Sequence, residues 1–406
     1  MGFNSRPLVY SLHQAGFEVY AIDFFGDLDL TPYVKDSIII SEKINLDYES
    51  SVVLYRDYLI KYTIDLLEKH PDIDYFLIGS GLDDALTERR RIHEEVSKEK
   101  YDILSLNNNI KTISQARNLF GLYKFLSEND FKTPYTEQLI DFDLDDSPLA
   151  FPIMLKKKSS SGGINVYKLN NLEQFHYRKE LVRETGDEEE WVIQEYIEGI
   201  PVSCTLISNG KDSEIVSLNR QIIGLELLNP PKEFIYCGNI VPGRILKEDQ
   251  EKIVQISKLL TRKLGLTGIN GFDFVLKNHY PYLMEINPRI PGSIRASEEA
   301  LHLNLLEQHI KSYSTNKWPY VKDLIGTHRK QIDTHTTKLI YFAPNDIEID
   351  LIPLINKLDY IHDQSPPGEK ITKGAPVCSI LYSADTFSKS YFNALKIANS
   401  INDLVS

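Results

Sequence analysis

The chain has 406 residues, of which 42% are hydrophobic and 25% charged, and carries a net charge of −13 at pH 7. These are ordinary values for a soluble globular protein of two or three domains with ample cores. The acidic balance argues against a general nucleic-acid or anionic-membrane surface, while leaving room for a locally basic phosphate pocket. No apolar run approaches the roughly 20 residues of a membrane span, and the N-terminus lacks a signal-peptide pattern. Cys204, Cys237 and Cys378 are too widely spaced for a disulfide framework or a Cys-rich zinc site. A reducing, cytoplasmic setting is the default expectation.

The first 105 residues alternate helix and strand patterns. A helix over 7–15 precedes a strand over 18–24. A second strand, 74–78, runs into Gly79-Ser80-Gly81 before an acidic, then basic, helical stretch, and 101–106 is a further short strand. Such alternation favours a parallel, doubly wound sheet. Met1-Gly2-Phe3-Asn4-Ser5-Arg6-Pro7 resembles the turn that follows a first strand, yet no strand precedes it. Either the sheet begins differently or the chain as given starts late. A helical region is expected over 114–128, a small β-rich unit over 151–198, and strands mixed with a helix at 248–264 as far as about 306. Residues 318–331 read as a connector and 337–343 as a strand. Pro366-Pro367-Gly368-Glu369 and Lys373-Gly374-Ala375-Pro376 punctuate a turn-rich β segment, closed by a helix over 388–401.

Several segments carry side chains suited to chemistry. Pro152-Ile153-Met154-Leu155-Lys156 is an apolar strand ending in a cation. It leads through Lys157 and Lys158 to Ser159, Ser160, Ser161, Gly162 and Gly163, with a second strand beyond. A small loop between strands can close over phosphates through backbone N–H groups and hydroxyls; a polar hairpin turn is the alternative. Trp191 to Gly199 is a strand running into a glycine-bearing bend, where a strand edge can meet a purine or simply end. Ser217-Leu218-Asn219-Arg220-Gln221 offers a fork-shaped cation and two amides, and Arg244 is similar. Among the ten histidines no HExxH-like spacing occurs, and His302 and His309 read as structural or solvated.

The segment Gly271-Phe272-Asp273-Phe274 followed by Leu283-Met284-Glu285-Ile286-Asn287-Pro288-Arg289 is the most informative. Period-2 alternation puts Phe272, Phe274 and Leu276 on one face and Asp273 and Val275 on the other. In the second strand it groups Tyr282, Met284 and Ile286 against Leu283, Glu285 and Asn287. With 277–281 as the connection, Asp273 stands opposite Glu285. Like charges so placed repel and call for a cation. Hard oxygen donors completed by phosphates suit Mg²⁺; an amphipathic hairpin with a solvated acidic face is the alternative.

Taken in order, these segments resemble the ATP-grasp superfamily. "PIMLK", the Ser/Gly loop, "QEYIEG" and "GFDF…LMEINPR" match its motifs, and "GFNSRP", "NPRIPGS" and "PPGEKITKGAPVCSIL" look most like microbial ligases of carbamoyl-phosphate-synthase-like type. The resemblance implies an α/β fold with an α+β lid: an ATP-grasp fold preceded by a Rossmann-like domain. The units would be 1–110 (Rossmann-like, its first strand seemingly missing), 111–198 (helical linker and lid), 199–330 (large lobe) and 331–406 (a β-rich segment with a closing helix). It implies ATP contacts at Lys156, Ser159 to Gly163, Glu195, Tyr196 and Ile197, and Mg²⁺ ligands at Asp273, Glu285 and Asn287, with Mn²⁺ a permitted substitute. Arg289 and Lys156 would serve catalysis. Two positions depart from the family pattern. Leu119 stands where many members carry Lys, with Arg117 a candidate substitute, and no acidic residue for ribose follows the hinge at Pro201 or Val202. The implied reaction activates a carboxylate as an acylphosphate for attack by an amine. The rivals are a non-catalytic nucleotide sensor on the same fold and a bicarbonate-activating enzyme. Partners would be a small acid and a small amine, with neither nucleic acid nor membrane, and a homodimer is compatible. Substrate choice would fall to 4–7, to 79–84 and to loops near Arg220 and Arg295.

Overall fold

The computed structural model describes residues 1–44, 48–83, 85–98, 100–144, 146–158, 162–368 and 370–405, the side chains of 48–53 excepted. The N-terminal unit runs α1 (Arg6–Gln14), β1 (Tyr20–Asp23), β2 (Asp36–Ile39), α2 (Tyr48–Lys69), β3 (Tyr75–Phe76), α3 (Leu86–Val96) and β4 (Leu104–Ser105). Both strand pairs, β1–β2 and β3–β4, are parallel, as the alternation predicts. The first three residues lie between them. Gly2 N–H donates to Ile22 O at 3.0 Å, while Gly79 N–H donates to Met1 O at 2.8 Å and Phe3 N–H to Ser80 O at 2.9 Å. The glycine-bearing turn at 79–81 is thereby fixed beside Asn4.

Two helices follow, α4 (Ile110–Arg117) and α5 (Leu119–Ser127), where the sequence predicts one. Asn118 divides them: its backbone leaves the helical region, and its side chain accepts the Gly121 N–H at 3.1 Å, capping the second helix. The break leaves Arg117 at a helix end facing the large lobe. The lid comprises β5 (Thr136–Gln138), β6 (Ile153–Lys157), β7 (Val166–Leu169), α6 (Leu172–Thr185) and β8 (Trp191–Glu195), in the sheet order β5-β8-β6-β7. Ile153 and Leu155 enter its core. Met154 and Lys156, on the alternate face, line a cavity.

The large lobe contains β9 (Ile200–Asn209), β10 (Ser213–Ile223), β11 (Tyr236–Val241), α7 (Lys247–Leu264), β12 (Thr267–Lys277), β13 (Tyr280–Asn287), α8 (Ile294–Leu301), α9 (Leu305–Ser312) and α10 (Trp318–Lys330). Beyond it come β14 (His335–Phe342), α11 (Ile352–Asn356), β15 (Ile361–His362), β16 (Pro376–Ala384) and α12 (Phe387–Val405). The strands form one antiparallel sheet in the order β13-β12-β9-β10-β11-β14-β16-β15, so the C-terminal strands extend the large lobe's own sheet. On α7, Ile253, Ile256, Leu260 and Leu264 recur at helical spacing and pack on Val202, Cys204, Phe272 and Phe274. The expected connector at 318–331 is instead a helix. Trp318, Val321 and Ile325 fall three and four residues apart on one buried stripe, a period obscured by the charged residues between them.

The β12–β13 hairpin turns at Asn278 and His279, both at positive φ, which is tighter than a loop over 277–281. Register from that turn pairs Phe274 with Leu283 but then shifts by one, so that Asp273 faces Glu285 and not Met284. Met284 is the extra residue of a β-bulge. This corrects the grouping of Leu283 with Glu285 and Asn287: Leu283 lies in the core with Phe272, Phe274, Leu276 and Ile286, while Met284, Glu285 and Asn287 line the cavity.

Candidate active site

A cavity of about 780 Å³ lies between lid, large lobe and N-terminal unit. Its metal-binding candidates converge. Asp273 is half-buried at the cavity wall; its Oδ2 accepts from Asn287 Nδ2 at 2.9 Å and its Oδ1 from Gln221 Nε2 at 2.9 Å. Glu285 accepts from the same Asn287 amide at 3.4 Å and from Arg117 Nη1 at 3.4 Å. Burial, and then the Glu285 charge, hold the Asp273 carboxyl well above the usual carboxylate range. Two negative charges here are therefore mutually unfavourable without a cation. Among the described residues no three His, Cys, Asp or Glu side chains converge as a self-sufficient metal cage. Two carboxylates plus a carboxamide oxygen fit a hard cation that takes its remaining ligands from phosphates and water.

Lys156 faces this pair from the lid. Burial, only partly offset by Glu285, pushes its ammonium down to about 8. Its neighbour Lys157 points elsewhere, pairing with Asp187 at 2.5 Å. Ser159, Ser160 and Ser161 lie outside the described residues, but the loop's exit is clasped to the large lobe. Gly162 O accepts from Tyr236 N–H at 3.2 Å, and Lys232 Nζ donates to Ile164 O at 2.9 Å. A Cβ on Gly163 would come within 1.9 Å of Phe234 O, so only glycine permits this approach.

At the hinge, Gln194, Glu195, Tyr196 and Ile197 line the cavity. Glu195 Oε2 accepts the Tyr135 N–H at 3.3 Å, and the Glu195 N–H donates to Tyr135 O at 2.8 Å, so much of its polar capacity is spent on β5's approach. Val202 is buried in the core and Ser203 takes the cavity side, consistent with the missing ribose carboxylate.

Arg289 follows the hairpin and is turned toward the N-terminal unit. Its Nε donates to the Asp83 carboxylate, and its Nη1 to Ile290 O at 3.0 Å. Burial works to raise the Asp83 carboxyl, but Arg289, then Arg89 and Arg117, outweigh it and hold it below the usual range. The approach to Arg289 is pinned by Asn108, which donates to Asn270 Oδ1 at 2.7 Å and to Pro288 O at 2.9 Å.

Two proposed recognition cations lie off the cavity. Arg220 and Arg244 are absent from its lining, and Arg244 sits 5.5 Å over the Phe387 ring. Strand alternation on β10 turns Gln221, not Arg220, toward Asp273. Arg295 is within α8 and engaged by Glu298 at 2.7 Å and Glu299 at 2.6 Å. Sequence reasoning named Gln221 only as one of two amides beside Arg220 and Asp83 only within 79–84, and did not name Asn108. Parity from Asp273 across the sheet could have found Gln221, whereas Asp83 and Asn108 act across unit boundaries that no local pattern encodes.

The ATP-grasp domain family matches residues 116–293. An uncharacterised protein of Methanocaldococcus jannaschii is 28% identical over 400 residues, covering 94% of this chain and 86% of that protein. The D-alanine–D-alanine ligase of Leptospira interrogans is 27% identical over 183 residues, which span 44% of this chain and 49% of the ligase. Among solved structures, an L-amino acid ligase from Bacillus licheniformis has a TM-score of 0.64 at 16% identity, covering 98% of this chain and 96% of that one. The family match runs from Ala116 to Ser293 and so contains Arg117, Lys156, the hinge, the acidic hairpin and Arg289. No helix among the described residues is long and apolar enough to cross a membrane. Residues 116–293 are thus similar to the ATP-grasp domain family, and the fold is the ATP-grasp fold.

Proposed function

We propose that this protein is an ATP-dependent ligase that activates a substrate carboxylate as an acylphosphate and passes the acyl group to an amine, releasing ADP and phosphate. One arrangement supports the reading above all: Asp273 and Glu285 face Lys156, Arg117 and Arg289 across a single cavity. Asp273, Glu285 and Asn287 would hold Mg²⁺ or Mn²⁺, which when bound neutralises polyphosphate charge. In the first step an oxygen of the acid attacks the γ-phosphorus, the bridging P–O bond breaks and ADP leaves. The amine nitrogen then attacks the acyl carbon, the C–O bond to phosphate breaks, and the nitrogen gives up a proton. Such transfers need alignment and charge neutralisation more than covalent help. Lys156 supplies a compact positive charge to the transferring group. Arg289, its guanidinium fixed by Asp83, faces the phosphate or acylphosphate. The clasp of Gly162 and Gly163 on the 234–236 segment closes the lid and keeps water from the acylphosphate.

Asp273→Asn and Glu285→Gln each test this. Acid-dependent ADP formation should drop by roughly a hundredfold or more, the scale of losing a principal electrostatic contact. Melting temperature should hold or rise in Asp273→Asn, since a buried repulsion is removed. Full turnover in both variants would sink the assignment.

A further inference from the structure

The cavity continues past Arg289 to an end lined by Asn4, Tyr236, Asn239, Gly292, Ser293 and Lys338. Lys338 comes from β14, one strand beyond β11, with Asn239 as its direct register partner. Gln221 pairs with Asn239 on the next strand, and Gln221 holds Asp273. A row of polar groups on one sheet face thus runs from the acidic hairpin to Lys338.

Lys338 is only 7% exposed and lines the cavity. An ammonium has three donors, yet among the described residues its one hydrogen-bond acceptor is Gly292 O, at a long 3.3 Å, and it has no carboxylate within 4.0 Å. The acidic groups that act on it, Asp363 and then Asp27, form no ion pair with it within 4.0 Å, and Asp363 is already engaged by Arg6 at 3.1 Å. Burying a cation without a close counter-ion is costly. A cation kept there, facing an open cavity, is suited to an anion that arrives from solution. Gly292, Ser293 and Ile294, at the start of α8, line the same end of the cavity.

We infer, building on the ligase reading above, that the activated acid carries a second anionic group and that Lys338 binds that group. Chain geometry limits its size. Lys338 bonds Gly292, three residues from Arg289, and three residues span at most about 11 Å. The acid is therefore small, of the dicarboxylic or acidic amino-acid class, with its reacting carboxyl toward Arg289 and its second toward Lys338.

The test traps the acylphosphate with hydroxylamine, so that the natural amine need not be known. Hydroxylamine nitrogen displaces phosphate from the acyl carbon and loses a proton, giving a hydroxamate that is read as its coloured ferric complex. Matched acids are compared with ATP and Mg²⁺: glutamate against glutamine, aspartate against asparagine, glutarate against valerate. The wild-type protein should prefer the doubly anionic member of its best pair by about tenfold or more in KM, the scale of one charged hydrogen bond. Lys338→Gln should abolish that preference by raising KM for the doubly anionic acid, leaving kcat within a few fold. Lys338→Arg should keep the preference. A structural role beside Arg6 and Asp363 would instead change every acid alike, and that outcome overturns the inference. So does a wild-type preference for the members with a single carboxylate, whatever the variants do. Hydroxamate from no acid at all overturns the ligase reading itself, and this inference with it.

Discussion

His309 shows how a single side chain ties chemistry-bearing strands to their neighbours. Its Nδ1 accepts the Ile269 N–H on β12 at 2.9 Å, and its Nε2 donates to Leu106 O of the N-terminal unit at 3.1 Å. Accepting at one nitrogen requires the neutral ring, and burial pushes its pKa down to about 4. Because the folded value lies below the unfolded one, this contribution is intact above pH 6.5 and is lost as pH falls toward 4. Wild-type stability should therefore fall by roughly 2 kcal/mol more than that of His309→Gln between pH 7 and 5, from about 1.4 kcal/mol per pH unit. Thermal melts at the two pH values measure it, and equal losses would refute it. The sequence left this histidine as structural or solvated, and the contacts show it is structural and which two backbone groups it serves.

Among the elements, the lid hairpin β6–β7 and the hairpin β12–β13 were read from sequence with unequal success, for a physical reason. β6 was read as an apolar strand ending in a cation, and because it is regular Met154 and Lys156 share the face opposite Ile153 and Leu155. In β13 it misplaced Leu283, because a bulge changes parity without any residue type announcing it; Met284 is as acceptable in a core as on a cavity wall. Asn118 likewise divides a helix through a cap that competes with continuation. The lid's exit makes a sharper prediction. Gly163→Ala sets a Cβ against Phe234 O at a positive φ of 85°, so the clasp must open. Turnover should fall at least about tenfold, from misplacement of the lid over the reacting groups, with melting temperature nearly unchanged. Faster proteolytic nicking near 158–165 would accompany it. An alanine variant with normal turnover would show that closure does not use this contact.

Across the whole molecule, the N-terminal unit is locked to the C-terminal segment by charge. Arg6, 4% exposed, contacts Asp29 at 2.8 Å and Asp363 at 3.1 Å. Asp29 also accepts from Gln364 N–H at 2.9 Å, and Leu28 N–H donates to Gln364 O at 2.8 Å. Arg6→Ala strands two carboxylates in a buried junction and should cost about 3–5 kcal/mol, read as a lower denaturation midpoint; a loss below 1 kcal/mol would mean the junction is already wet. The three segments that meet here, at 6, 28–29 and 363–364, are far apart in sequence, which is why the junction was invisible there. The eight-stranded sheet has a last consequence. Asp273 and Lys338 stand on strands of one sheet, four strand steps apart, or roughly 20 Å at about 4.8 Å per step. Hydrogen-bonded strands do not slide, so that separation works as a gauge with both jaws fixed. Side-chain substitutions can trim the gauge, but widening it by a whole step would require another strand.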